Sequence, residues 1–192
     1  MRLRLRLLWV FLRSFLCARL GVLDESVLPF TVLPNDVDIS RLTDDRYLAI
    51  ADLGRIDLAL RVGLRTTLVR QRWTPIATLA AVRYRHPLRL FQRYRLRTQV
   101  LWWDESAFYL RQVFERGGRV QATAYLRATF LGAHETVDPA TVLAHVREPV
   151  DRPRMPEVIP QLQSLAEAIH REQLDGDRVA TPLEGSHAAG RQ

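Results

Sequence analysis

The chain has 192 residues, 47% hydrophobic and 26% charged, which fits one globular domain with appendages and excludes a disordered or fibrous chain. Its net charge of +7 rests on arginine alone, since none of the 28 basic residues is lysine. A single cysteine, Cys17, excludes an intrachain disulfide framework and a multi-cysteine metal site.

Residues 1–22 read as a separate basic amphipathic helix. Arg2, Arg4, Arg6, Arg13 and Arg19 carry its charge, with no acid among them. Leu7, Leu8, Trp9, Val10, Phe11 and Leu12 form a short apolar run that Arg13 ends. A span of the bilayer needs about 20 mostly apolar residues, so this stretch is too short to cross. Arg13 and Arg19 also sit poorly with a cleaved leader. A helix lying in an anionic membrane surface suits the mixture, and packing on its own domain is the competing reading.

Glu25 to Pro34 is a β-type run in which Pro29 suggests an edge. Asp36-Val37-Asp38 opens the connection to a central helix. Thr43 is placed to cap that helix, with its hydroxyl accepting from a first-turn amide, and Asp44 and Asp45 favour the positive end of the helix dipole. Gly63 closes it. Tyr47, Leu48, Ile50, Ala51, Leu53, Ile56, Leu58 and Leu60 leave it apolar on nearly every side, so other structure must wrap it. Gly54 reads either as a point of close approach or as a tolerated small residue.

Beyond Leu64 the period shortens to two. Ile76, Thr78, Ala80, Val82 and Tyr84 are expected on one strand face. Tyr94, Leu96, Thr98, Val100 and Trp102 follow on one face of the next strand, opposite Arg93, Arg95, Arg97 and Gln99. Strands at Ala107–Glu115 and Arg119–Leu131 are joined at Gly117-Gly118. Four strands with short connections predict an antiparallel meander, and the whole an α+β fold in two layers. A short helix over Asp138–Val146, a Pro-rich linker, a helix over Gln161–Gln173 and a disordered tail complete the chain. The expected division is 1–22, 23–147, 148–173 and 174–192.

Between Asp57 and Asp104 there is no acid but there are ten arginines, among them Arg83 and Arg85. Such groups bind phosphate bidentately, or face solvent. Nucleic acid is not expected, because alternation puts Tyr94 on the face opposite the arginines of its strand. The histidines His86, His134, His145, His170 and His187 are scattered, and no phosphate loop, dinucleotide fingerprint or nucleophilic serine elbow is present. No cofactor and no metal are expected.

The Asp36-Val37-Asp38 before the helix, the Arg46-Tyr47-Leu48 and Asp52-Leu53-Gly54-Arg55 on it, and the later Trp103-Asp104-Glu105 and Phe114-Glu115-Arg116-Gly117-Gly118 series resemble the hotdog-fold thioesterase superfamily. The branch in view is the acyl-CoA thioesterase-like proteins with a hydrophobic N-terminal segment. The resemblance implies a single hotdog domain, an antiparallel sheet wrapped around one central apolar helix. It implies an acyl-CoA substrate, a homodimer or homotetramer, and hydrolysis by an acidic residue as base or nucleophile. On this sequence that residue is Asp38, with Asp36 beside it. Thr43, Asp44, Asp45 and Tyr47 at the helix start, with Arg83 and Arg85, are the expected substrate contacts. The pattern departs at Arg41–Asp45, where relatives carry a His-Met-Asn-Asn-type segment. The other reading is a non-catalytic hotdog protein that binds an acyl ligand or partner at a membrane surface. The expected address is the cytoplasm, peripheral at the membrane.

Overall fold

A computed structural model describes residues 2–133 and 135–180, with side chains at 3–133 and 135–173. His134, His187 and the end of the expected tail lie outside the described residues. The elements are α1 (Arg2–Leu16), β1 (Ser26–Thr31), β2 (Val37–Asp38), β3 (Arg41–Leu42), α2 (Asp44–Ala59), α3 (Arg65–Arg70), β4 (Thr74–Tyr84), β5 (Arg93–Trp103), β6 (Phe108–Arg116), β7 (Arg119–Leu131), β8 (Thr136–Val137), α4 (Pro139–Leu143) and α5 (Val158–Ala180). They fall into two units, residues 1–156 and 157–192.

The apolar run after Thr43 is α2, and the main sheet packs over it. Two sets of buried side chains meet there. Toward the start of α2, Tyr47, Ile50 and Leu53 pack with Leu28, Leu96 and Phe114. Toward its end, Leu58 and Ala59 pack with Val62, Trp73, Phe108, Leu126 and Phe130. Each large aliphatic side chain fully buried this way stabilises the fold by about 1.5–3 kcal/mol. Gly54 sets how close the helix comes. A Cβ there would stand 2.3 Å from Thr98 Oγ1 and 2.8 Å from Leu96 Cδ2, so this is a point of close approach.

Gly63 takes φ 105° and bends the chain, as its position predicted. The helical path then resumes for one short segment, α3. Thr43 stands at the N-cap, but its hydroxyl accepts no amide. It donates to the Asp45 carboxylate instead.

The strands run antiparallel in the order β1-β5-β6-β7-β4, with β8 on β7. The meander therefore holds for β5, β6 and β7 only. β4 pairs with β7, and the segment after Tyr84 carries the chain to the opposite side of the sheet. Alternation cannot report this, because it fixes faces and not neighbours.

Two irregularities also reassign faces. A register shift between Ala77 and Leu79 places Ile76 opposite Thr129, whereas Ala80, Val82 and Tyr84 oppose the buried Leu126, Ala124 and Ala122. Ile76 thus lies on the other face from the residues it was grouped with. A second shift, between Val100 and Trp102, turns Trp103 into the core and Trp102 outward onto Tyr109. An extra residue in one strand inverts every later side chain.

α1 packs on α2, with Val10 fully buried. The second unit is helical from Val158 to Ala180. It begins earlier and ends later than Gln161–Gln173, and Pro160 is tolerated in its first turn because that amide has no helical acceptor.

Candidate active site

The acidic loop is built from a 3-10 turn, Pro34–Asp36, followed by the small β2–β3 hairpin, in which Asp38 faces Arg41. The two acids of the motif separate here. Asp36 is 2% exposed and is gripped by Arg6 of α1, whose two terminal nitrogens stand 3.0 and 2.6 Å from its oxygens. It also accepts from the Leu33 amide at 2.9 Å. Asp38, one pleat further, is exposed.

Between Asp38 and Arg41 the hairpin turns on Ile39 and Ser40. Ile39 holds φ 58° and is 97% exposed. A β-branched residue in the left-handed region is strained, and such strain collects at ligand-binding loops.

Asp38 borders an open cleft of about 820 Å³. The start of α2 supplies Thr43, Asp44, Asp45 and Tyr47, and the end of β4 with the residues after it supplies Tyr84, Arg85 and His86. Of the expected contacts, Arg83 does not join them. It opposes Thr123, on the face of β4 away from Tyr84. Asp36 does not border the cleft either.

The end of β4 is fixed by β7: the amides of Arg85 and His86 both donate to the Gln121 carbonyl, at 2.8 and 3.0 Å. That shared acceptor turns Arg85 and His86 toward the start of α2. Tyr47 forms the floor. Its ring meets Tyr84 and Phe114 edge-on, with centroids 5.1 and 4.9 Å apart, and its hydroxyl accepts from the Leu88 amide at 3.3 Å. Burial pushes the Tyr47 phenol upward, and the nearby Tyr84 and Asp44 add to the effect. Burial raises Tyr84 as well, with Asp44 adding to it. Both rings therefore stay protonated as donors at neutral pH. The Thr43 hydroxyl, ahead of the neighbouring Arg46, holds the Asp45 carboxyl below its ordinary value.

Tyr84 and His86 are members of the cleft that the sequence did not single out as site residues. No spacing signalled them, since Tyr84, Arg85 and His86 border the cleft in succession where β4 ends. With His86 present, an imidazole borders the cleft although none occurs in the acidic loop.

A sheet wrapped on one helix, with an acidic hairpin over the helix start, defines a hotdog protein of the thioesterase kind. Residues 32–164 match the thioesterase-like superfamily, and the chain belongs to that family. Among its relatives is Protein THEM6 of Danio rerio, 37% identical over 112 residues, which are 57% of this chain and 55% of that protein. The chain thus spans about half the length of that relative. A gentisyl-coenzyme A thioesterase structure superposes with TM-score 0.54 at 19% identity, covering 62% of this chain and 98% of that one. A 4-hydroxybenzoyl CoA thioesterase mutant, complexed with 4-hydroxybenzoyl CoA, does so with TM-score 0.56 at 14% identity, covering 64% and 99%.

Proposed function

We propose that the chain hydrolyses an acyl-CoA thioester, with Asp38 as the acidic group that acts on the scissile carbonyl. The observation that carries this reading is the position of Asp38. It is the exposed acid of the motif, and it shares one cleft with the helix start, Arg85 and two tyrosines. As base, its carboxylate takes a proton from water as the water attacks the thioester carbon. The coenzyme A sulfur then leaves and recovers that proton as a thiol. As nucleophile, Asp38 attacks the thioester carbon, the coenzyme A thiolate leaves to give an acyl anhydride, and water cleaves that anhydride to free acid and the restored Asp38 carboxylate. Amides at the start of α2 and the Tyr84 hydroxyl suit the developing oxyanion. Arg85 suits a phosphate of coenzyme A. We assign Asp36 a structural role, because Arg6 occupies both of its oxygens.

A specific observation favours the second reading, a non-catalytic acyl-binding hotdog protein. Asp44 and Asp45 stand exposed in the first turn of α2. Their charges oppose both an oxyanion and the phosphates of coenzyme A. We further infer a homodimer or homotetramer, since β4 leaves an unpaired sheet edge at the cleft side. The apolar outer face of α1 supports a peripheral place at the cytoplasmic face of a membrane. Among the described residues no helix is long and apolar enough to cross one. Nucleic acid has no part in this reading, as Tyr94 is buried and Tyr84 belongs to the cleft.

Thiol release from acyl-CoAs of graded chain length and from aromatic acyl-CoAs, by the native chain and by Asp38→Ala, tests it. Turnover lost in the variant supports the hydrolase. No turnover on any substrate by folded protein moves the function to binding.

A further inference from the structure

Helix α1 buries Val10 on the domain but, unlike an ordinary surface helix, leaves most of its apolar residues outside. Arg6 and Arg13 point inward, to the buried carboxylates of Asp36 and Asp57. Leu5, Leu8, Trp9, Leu12, Phe15 and Leu16 point outward at helical spacing and form one stripe. Leu16 is 89% exposed and Leu5 64%. A continuous apolar stripe facing water marks an interaction surface.

A second cleft, of about 780 Å³, opens beside Trp9 of that stripe. It lies between α1, β1 and the ends of β5 and β6, and it is distinct from the cleft at Asp38. Arg93, Arg95 and Arg116 line it, are exposed, and pair with no acid among the described residues. The other two charged side chains of the cleft are already committed: Arg6 to Asp36, and Glu115 to Arg97 at 2.9 Å. Tyr94 backs it from the core face of β5, 3% exposed and packed on Phe30 and Phe114. Gly117 and Gly118 turn at its edge, and a Cβ on either would meet nothing within 4 Å.

We propose that this cleft binds the phosphate of an anionic phospholipid while the outer stripe of α1 lies in the acyl layer. The proposal rests on the membrane-facing reading of α1 and is independent of thioester hydrolysis. Guanidinium groups grip phosphate through paired N–H donors. Trp9, shared by cleft and stripe, sits at the level where tryptophan collects in bilayers. Charge complementarity selects this occupant. A second copy docked through the same face would bring two sets of unpaired arginines together.

The test is flotation of the full chain, at physiological ionic strength, with phosphatidylcholine vesicles that contain or lack phosphatidylglycerol. The native chain is expected to prefer the anionic vesicles by on the order of a hundredfold, from three arginines near the surface. Arg93→Gln, Arg95→Gln and Arg116→Gln together should abolish that preference and leave the thermal melt and any thiol release unchanged. Leu8→Ser with Leu12→Ser should remove binding to both vesicles. Equal binding of the native chain to both vesicles would overturn the phosphate site and leave the membrane face standing. Binding to neither would overturn both. Inorganic phosphate that raises the melting temperature of the native chain but not of the triple variant, without a vesicle preference, would make this a site for a soluble phosphate and sink the lipid assignment. A dimer in solution that Leu8→Ser with Leu12→Ser dissolves, again without vesicle binding, would give the stripe to a second copy.

Discussion

Single carboxylates do different work here because their surroundings differ. Asp38 is exposed at the cleft, and Asp38→Asn keeps its shape while removing the acidic group of the proposed hydrolysis. Its kcat should fall by roughly 10²–10⁴, as positioned acid–base groups contribute, and single-turnover thiol release reads it. Asp104 is held instead by bonds to its own turn. Burial raises its carboxyl, but the Tyr109 hydroxyl at 2.7 Å, with the Ser106 amide and hydroxyl and the Ala107 amide, outweighs that and brings it down to about 2. A carboxyl depressed in the folded state lends stability that is present above its ordinary value of 3.8 and is lost as pH falls toward 2. Asp104→Asn should therefore destabilise by about 1–2 kcal/mol near neutrality, and the difference should vanish across that acid window in chemical melts. At Tyr47, replacement by Phe would leave the buried Leu88 amide without its acceptor, at about 1–3 kcal/mol.

Elements are held by close approaches and by ion pairs. Gly54 lets α2 sit down on β5 and β6, and Gly54→Ala should cost about 3 kcal/mol, because Thr98 and Leu96 are already in van der Waals range. A chemical denaturation curve checks it. α1 is clasped by the hydrogen-bonded pair Arg6–Asp36 and by a looser ion pair, Arg13 on Asp57 at 3.7 Å. Asp57 is fully buried and also accepts from the Ser26 hydroxyl at 2.5 Å, with Arg61 at 3.6 Å. Removing one partner of such a pair strands the other charge. Asp36→Ala should cost about 3–5 kcal/mol and should expose α1 to protease before the sheet opens. These clasps also bear on the two readings of residues 1–22. The basic residues predicted to face an anionic surface include two that face the domain, beside the buried Val10, while most of the helix's apolar residues are left outside.

At the scale of the whole molecule, the cleft at Asp38 is open and the β4 edge is unpaired. Light scattering should therefore give a mass of at least two chains, and charged substitutions on the exposed edge positions Ala77 and Ala80 should lower it. Much of this molecule was determined by the sequence alone. The all-round apolar helix, the period-two strands and the turn signals dictated a sheet around a helix, because local periodicity and side-chain volume act within a few residues. The Asp-x-Asp likewise marked the loop in which the proposed site lies. The tertiary structure decided the rest. It parted Asp36 from Asp38 by supplying Arg6 from 30 residues away. It sent β4 to the far edge, so that Tyr84 and His86 met the helix start. It turned Arg6 and Arg13 of α1 inward, and through one bulge in β5 it exchanged Trp102 for Trp103. Each of these depends on which strand pairs with which and on a partner distant in the chain, and no local spacing carries that information.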